Sequence, residues 1–249
     1  MKKFLKILFV VVSLAFFSYV IDHVMDEKYA EMEQENVAVV DKEQEVIPMC
    51  YMYNELTDRG LYDRAWVRLN IQGESVTGEF RNLPAEKDSK VGEFSGTVSL
   101  FDPAISGRVA SVVWNSMAEG MQVTEELKII FGEGSAVAFF GEMEDRGDGV
   151  YVYKDKENLF PSQTMSQIDC DSLKEMLSFE SAIRENIGFV ATNDEVLGGT
   201  WYVVSVSVNT FSDEAIVVYE DGHIQSKAKI LYSYNKDTDE VEISSFTVL

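Results

Sequence analysis

Histidine and cysteine are scarce in this chain, and their scarcity limits its chemistry. The histidines are His23 and His223, and the cysteines are Cys50 and Cys170. Two thiols without a nearby histidine do not supply the four ligands of a structural zinc site. No serine lies in a Gly-x-Ser-x-Gly elbow, so a hydrolase would have to assemble around His223. We therefore predict a non-catalytic protein with no catalytic set, metal site or cofactor, and keep a hydrolase centred on His223 as an alternative.

Basic residues are also few, at 21 Lys and Arg against 43 Asp and Glu, which gives a formal net charge of −22. Such a surface repels phosphate backbones, so we predict no nucleic-acid partner. Within this acidic chain, His223, Gln225, Lys227 and Lys229 alternate along one predicted strand face. This strip is interpreted either as a site for an acidic partner or carboxylate ligand, or as outward lysines that discourage edge pairing.

Long apolar runs are missing except at the N-terminus. Three lysines within residues 1–6 are followed by an apolar run over residues 7–21, which is the pattern of an export signal. The small residues that signal peptidase requires are not found near the end of this run, so residues 1–21 are predicted to be an uncleaved signal anchor that crosses the membrane with residues 4–21. The lysines would stay in the cytoplasm and the rest would lie outside it. Cleavage followed by secretion is the alternative.

The segment after the anchor, residues 22–47, is rich in acids and contains no glycine or proline. It is interpreted as a charged spacer that holds the folded part away from the bilayer. Export would place Cys50 and Cys170 in an oxidising compartment, where an even count favours a disulfide. The two residues flank the predicted first and last strands of one domain, which are often neighbours in a closed β structure. Free buried thiols are the alternative.

Residues 48–170 have the pattern of an all-β domain. Alternating, β-branched or aromatic segments are separated by glycine-bearing breaks, which predicts about eight short antiparallel strands in a barrel-like or sandwich domain. The predicted strands are Cys50–Asn54, Ala65–Ile71, Ser75–Phe80, Glu93–Leu100, Val109–Trp114, Glu125–Phe131, Ser135–Gly141 and Val150–Tyr153. Trp66 and Trp114 lie within these segments and are interpreted as core residues.

Residues 171–249 predict an α+β domain, so that the whole chain is mainly β with one α+β part. A helix is expected over residues 171–187, with Gly188 as its C-terminal stop. Four strand patterns follow, and Asp221-Gly222 predicts a tight hairpin between two of them. The helix would cover one face of a four-stranded antiparallel sheet, an order shared by analogy with cystatin-like and NTF2-like folds.

Four stretches carry a resemblance to known proteins, namely Leu83–Val98, Phe140–Asp155, Val196–Val206 and Tyr219–Lys229. They resemble a group of exported, membrane-anchored two-domain bacterial proteins of unknown function. The resemblance extends over most of residues 49–249. It implies the two-domain plan and a bacterial envelope setting, and it implies no activity, cofactor or catalytic residue.

These observations favour a membrane-tethered, non-catalytic ligand-binding module of the bacterial cell envelope. Its ligand would be an unknown small molecule inside the barrel or on the α+β sheet, because small barrels can enclose one. The alternative is a structural or protein-interaction protein of the envelope with a filled barrel. A barrel cavity of several hundred Å³ favours the first hypothesis, and a packed interior favours the second.

The anchor and the disulfide can be tested together by the intact mass of the full-length chain extracted from its host in detergent. We expect the mass of residues 1–249, less the hydrogens lost when a disulfide forms. A mass lacking the first two dozen or so residues would show that the signal is cleaved. Alkylation of both cysteines without prior reduction would show that they are free thiols.

Overall fold

A computed structural model describes residues 45–249 apart from Glu86, Asp194 and Val196. The predicted anchor over residues 1–21, and all but the last residues of the predicted spacer, lie outside this part. Residues 46–249 form one compact unit. Between residues 45 and 249, no described helix is both long and apolar enough to cross a membrane.

The described residues form fifteen strands and one helix. In chain order these are β1 (Ile47–Leu56), β2 (Tyr62–Gln72), β3 (Ser75–Leu83), β4 (Lys90–Val98), β5 (Arg108–Ala118), β6 (Met121–Phe131), β7 (Ser135–Phe140), β8 (Met143–Asp145), β9 (Val150–Tyr153), β10 (Phe160–Pro161), β11 (Met165–Ile168), α1 (Cys170–Val190), β12 (Tyr202–Asn209), β13 (Glu214–Glu220), β14 (Gln225–Asn235) and β15 (Glu240–Val248).

Eight strands close into an antiparallel barrel. Strands β1 to β7 pair in sequence, and β11 completes the circle by pairing with both β7 and β1. In β2, the period-two alternation turns Val67, Leu69 and Ile71 into the barrel core and leaves Arg64 and Trp66 on the outer face. The prediction of a mainly β chain with a barrel of eight strands is confirmed for this part of the molecule.

The identity of the eighth strand was predicted wrongly. The segment Val150–Tyr153 does form a strand, but it pairs in parallel with β6 and lies outside the barrel. The closing strand is β11, which is four residues long and has one fully buried side chain, Met165. Such a short segment shows no alternation that a sequence pattern could detect.

The barrel interior is filled by its own side chains. The rings of Phe80 and Trp114 lie 5.1 Å apart, and Trp114 Nε1 donates a hydrogen bond to the carbonyl oxygen of Gly92 at 3.0 Å. The buried apolar residues that form this core are Tyr51, Ala65, Val67, Leu69, Ile71, Val76, Phe80, Phe94, Val98, Ala110, Val112, Trp114, Leu127, Ile129, Phe131, Ala136, Ala138 and Met165. An eight-stranded barrel is just wide enough to be filled in this way.

Two glycines allow β4 to approach β5 closely. Gly92 and Gly96 share the inward register of Phe94 in β4. A Cβ atom at Gly96 would lie 2.2 Å from the carbonyl oxygen of Ser111, and one at Gly92 would lie 2.0 Å from that of Asn115. A side chain at either position would push the two strands apart.

The remaining strands, β12 to β15, form a separate four-stranded antiparallel sheet. One face of this sheet packs against α1, whose Phe179, Ile183 and Ile187 are buried there. Tyr232 on the sheet donates a hydrogen bond of 2.7 Å to the buried Glu175 of α1. Burial, together with this bond, raises the pKa of Tyr232.

Helix α1 begins after the N-cap residue Asp169, whose carboxylate accepts from the amide of Ser172 at 2.9 Å. It ends at Val190, so the predicted stop at Gly188 is wrong. Gly188 does not take the positive φ of a glycine C-cap. The helix therefore continues through it, until Ala191 turns to extended backbone.

Two glycine substitutions test whether the close approach of the β4 and β5 backbones requires glycine. Gly96→Ala should lower the free energy of unfolding by about 1–3 kcal/mol, because the new methyl group collides with backbone. Gly188→Ala should leave it unchanged or raise it by up to about 1 kcal/mol, since no atom lies within 4 Å of its Cβ position. Urea unfolding followed by circular dichroism measures both. Equal effects of the two substitutions would contradict the strand-approach argument.

Candidate functional site

Helix α1 covers one patch of the barrel's outer face. Cys170 in its first turn is bonded to Cys50 of β1, with Cα atoms 5.2 Å apart, so the structure pairs the two cysteines as predicted. Leu173 and Leu177 follow along the helix and pack with Trp66 of β2. Trp66 points out of the barrel, yet it is only 2% exposed because the helix lies over it.

A groove of about 590 Å³ opens beside this patch, between the outer face of β2 and β3, residues 84, 85, 87 and 89, helix α1 and strand β12. We name it the barrel–helix groove. Its lining residues are Tyr62, Arg64, Trp66, Arg81, Leu83, Pro84, Ala85, Lys87, Ser89, Leu177, Glu180, Ser181, Arg184 and Val204. A smaller groove of about 280 Å³, here the side groove, shares three of these residues (Trp66, Leu177 and Ser181) and continues past Arg68, Glu79 and Lys174.

Two arginines clamp one carboxylate at the wall of the barrel–helix groove. Arg64 of the barrel donates two hydrogen bonds to Glu180 of α1, at 2.6 and 2.9 Å. Arg184, one turn further along the helix, donates to the same carboxylate at 2.7 and 2.9 Å and to the carbonyl oxygen of Val203 at 2.8 Å. The side chains of Arg64 and Glu180 are only 13% and 17% exposed, so this bidentate pair is largely shielded from water.

The Glu180 carboxylate is held ionised by its partners. Burial alone raises the pKa of this carboxyl, but the hydrogen bonds and positive charges of Arg64 and Arg184 outweigh burial and keep the pKa below its ordinary value. The charge of Glu180 therefore orients both arginines in the folded protein at neutral pH.

Arg81 and Trp66 form a second contact in the same groove. They face each other in the β2–β3 register, and the Arg81 guanidinium carbon lies 5.1 Å from the centre of the Trp66 ring. Arg81 Nε donates to Glu79 at 2.7 Å, and the two amino groups of Arg81 make no hydrogen bond to a described residue. Trp66 Nε1 is buried and likewise has no acceptor within the described part of the chain. Lys87 lies exposed at the groove edge with no ion pair to any residue that the structure describes.

The charge of the barrel–helix groove is opposite to that of the protein. Residues 45–249 contain 16 Lys and Arg against 35 Asp and Glu, a formal charge of −19. The groove lining nevertheless has four cations and one anion among its described residues. A cleft lined by one sign of charge concentrates ions of the other sign. This arrangement can attract and hold an anionic group.

The predicted basic strip lies on β14 and on the turn before it. Lys227 and Lys229 alternate with the buried Ala228 and Ile230, so they project from the sheet face opposite α1. Lys229 pairs with Glu214 at 2.6 Å, and Gln225 donates to Glu220 at 3.2 Å. Neighbouring acids thus engage two of its members, and a role for the strip in binding stays a prediction.

His223 lies exposed in the turn before β14. Its backbone amide donates to Asp221 at 2.8 Å. Among the described residues, no carboxylate or hydroxyl forms a hydrogen bond with its ring, which is the contact that the hydrolase hypothesis requires. The same part of the chain contains no cluster of three side chains that could hold a metal ion.

Sequence reasoning missed the groove residues, although β2 contained a signal for them. The apolar side chains of Val67, Leu69 and Ile71 define the inward face of this strand, which places Trp66 outward next to Arg64. A large aromatic side chain on the outer face of a barrel indicates that another element covers it. The sequence does not say which element, because Glu180 lies 116 positions from Arg64.

Comparisons of the chain with protein-family models, with curated proteins and with solved structures found no match. The geometry and charge of the described residues therefore carry the functional argument.

The Arg64–Glu180 contact can be tested by Glu180→Gln, which should lower the free energy of unfolding by about 1.5–3 kcal/mol at neutral pH. The lowered pKa of Glu180 means that its stabilisation is complete above its unfolded-state pKa of roughly 4.3 and is lost as the pH falls through the folded-state pKa. The difference between wild type and variant should therefore shrink below about pH 4. Urea unfolding across this pH range measures it.

Glu185→Gln is the matched control, because Glu185 is an exposed acid on the same helix. It should change the stability by no more than about 0.5 kcal/mol. A wild-type to Glu180→Gln difference that does not depend on pH would contradict the role of the ionised carboxylate.

Proposed function

We propose that this chain is a non-catalytic binding protein of the bacterial envelope and that its ligand is an anion held in the barrel–helix groove. The observation that carries the proposal is the collection of Arg64, Arg81, Lys87 and Arg184 around one groove of a strongly acidic protein. The envelope setting is supported by the predicted signal anchor, by the resemblance to exported bacterial proteins and by the disulfide.

Because the barrel interior is filled by side chains, we place the binding site on its outer surface. Trp114, Phe80 and Tyr51 are fully buried and occupy the space where an enclosed ligand would bind. The packed interior also favours the alternative of a protein-interaction role over that of a small-molecule carrier. A hydrolase around His223 has no geometric support and is not proposed.

The groove combines fixed and available donors. Glu180 holds Arg64 and Arg184 in place, which lowers the entropy that these long side chains lose when a ligand binds. The amino groups of Arg81 and the ammonium group of Lys87 provide donors for the ligand itself. Charge-assisted hydrogen bonds from such groups to a carboxylate or phosphate are roughly twice as strong as neutral ones. Leu83 and Leu177 offer apolar surface beside them.

The indole N–H groups offer a direct test, because the chain has three tryptophans. Trp66 lies in the groove, whereas Trp114 Nε1 and Trp201 Nε1 are bonded to backbone carbonyls elsewhere. We expect succinate or inorganic phosphate to shift the Trp66 indole resonance of the full-length protein in detergent and to leave the other two unchanged. Nitrogen–proton correlation spectra follow the titration, and Trp66→Phe assigns the peak.

The double variant Arg81→Ala with Lys87→Ala should abolish this shift. Arg146→Ala is the matched control, since Arg146 also pairs with an acid two positions away, Asp148, but in an exposed turn far along the chain. Arg146→Ala should behave as wild type. No shift of the Trp66 resonance with either anion, or an equal shift of all three, would refute the proposed groove.

A further inference from the structure

We infer that the natural partner of the groove is an acidic peptide segment of another protein, with an apolar residue between its acids. This inference rests on the proposed function and adds the class of ligand. It is drawn from the shape and charge of the barrel–helix groove and the side groove taken together.

The two grooves form one continuous track. They meet at Trp66, Leu177 and Ser181, which line both of them. Both are open to solvent along the surface between the barrel and α1. Small ligands are bound in pockets that enclose most of their surface. An open track whose two parts measure about 590 and 280 Å³ suits an extended chain, which can contact both parts at once.

Cations lie on both sides of the meeting point. Arg81, Lys87 and Arg184 lie on the side of the larger groove. Arg68 and Lys174 lie on the other side, where Lys174 already pairs with Asp239 at 2.6 Å. With Arg64, the track contains six of the 16 Lys and Arg of residues 45–249 but only two of their 35 acids, counted over the described lining. Such segregation makes the track a positive patch on an otherwise acidic protein, and a positive patch attracts an acidic segment.

Both lining acids are already engaged by arginines of the protein. Glu180 accepts from Arg64 and Arg184, and Glu79 accepts from Arg81. Their charges therefore do not oppose an incoming acid as free carboxylates would. The donors left for the partner are the Arg81 amino groups together with Lys87 and Arg68, none of which has an ion pair to a described residue through these atoms.

The meeting point itself is apolar. Leu177 is half-buried there, and Trp66 lies beneath it with Leu173. An aliphatic or aromatic side chain of the partner can bury surface at this point while acids on either side reach the cations. Two ion-pairing sites joined through one apolar contact bind a single segment more tightly than either site binds a separate anion.

The test uses a fluorescein-labelled peptide with three glutamates on each side of a central leucine and the full-length protein in detergent. Fluorescence anisotropy should show binding at least about tenfold tighter than that of succinate measured by the Trp66 resonance. Binding should weaken by about tenfold in the Arg81→Ala, Lys87→Ala double variant and in high salt. It should be unchanged in Arg146→Ala. Glycine in place of the central leucine should weaken it several-fold, and glutamines in place of the glutamates should abolish it.

Each contrary result has a separate meaning. If succinate shifts Trp66 but the acidic peptide binds no tighter, the anion site stands and the peptide inference fails. If the glutamine peptide binds equally well, charge recognition fails. If Arg146→Ala loses as much binding as the double variant, the attraction is non-specific and the track is not the site. If neither succinate, phosphate nor the peptide binds, both proposals fail.

Discussion

Helix α1 is buried on two faces, and this constraint fixes the positions of the barrel, the four-stranded sheet and the groove relative to the helix. One face, with Leu173 and Leu177, packs against Trp66 on the barrel, and the other, with Phe179 and Ile183, packs against the four-stranded sheet. The disulfide holds the first turn, and the Arg64–Glu180 pair holds the helix further along. Rotation of α1 would expose apolar surface or separate charges that are largely shielded from water, so the helix has one orientation.

The groove is a consequence of this docking. A straight helix lying on the curved outer face of a barrel touches it over a limited patch and leaves space beyond the edges of that patch. At one edge the arginines of β2 and β3 come within reach of the helix, and Glu180 neutralises part of their charge. The guanidinium of Arg64 is largely shielded from water, and a shielded charge is stable only when it is paired. The Glu180 carboxylate on the facing part of the helix supplies that partner. The amino groups of Arg81 and the ammonium group of Lys87, which make no ion pair with a described residue, give the groove its positive sign.

Much of the fold could be predicted because strand alternation is a local signal. In β2 the inward Val67, Leu69 and Ile71 can be read directly from the chain, and the predicted strands correspond to seven barrel strands and β9. The prediction failed where local pattern is weak or ambiguous. Strand β11 is too short to show an alternating pattern. Gly188 is the residue type that usually ends a helix, but it lacks the positive φ of a helix C-cap. Closure by β11 depends on pairing with β1 and β7, which no local pattern encodes.

The sequence by itself determined the longer strands, their inward and outward faces and the four-stranded sheet, and it favoured the pairing of Cys50 with Cys170. These follow from residue periodicity and from the expected compartment. Only the tertiary structure decided that the barrel is filled, that α1 covers Trp66, and that Arg64 meets Glu180 across 116 positions of chain. The physical reason is that alternation along a strand is local and shows only which of its faces is apolar. Which distant helix or strand packs on that face depends on the packing of the whole chain. The candidate site lies where two such surfaces meet, and so it could not be found from either alone.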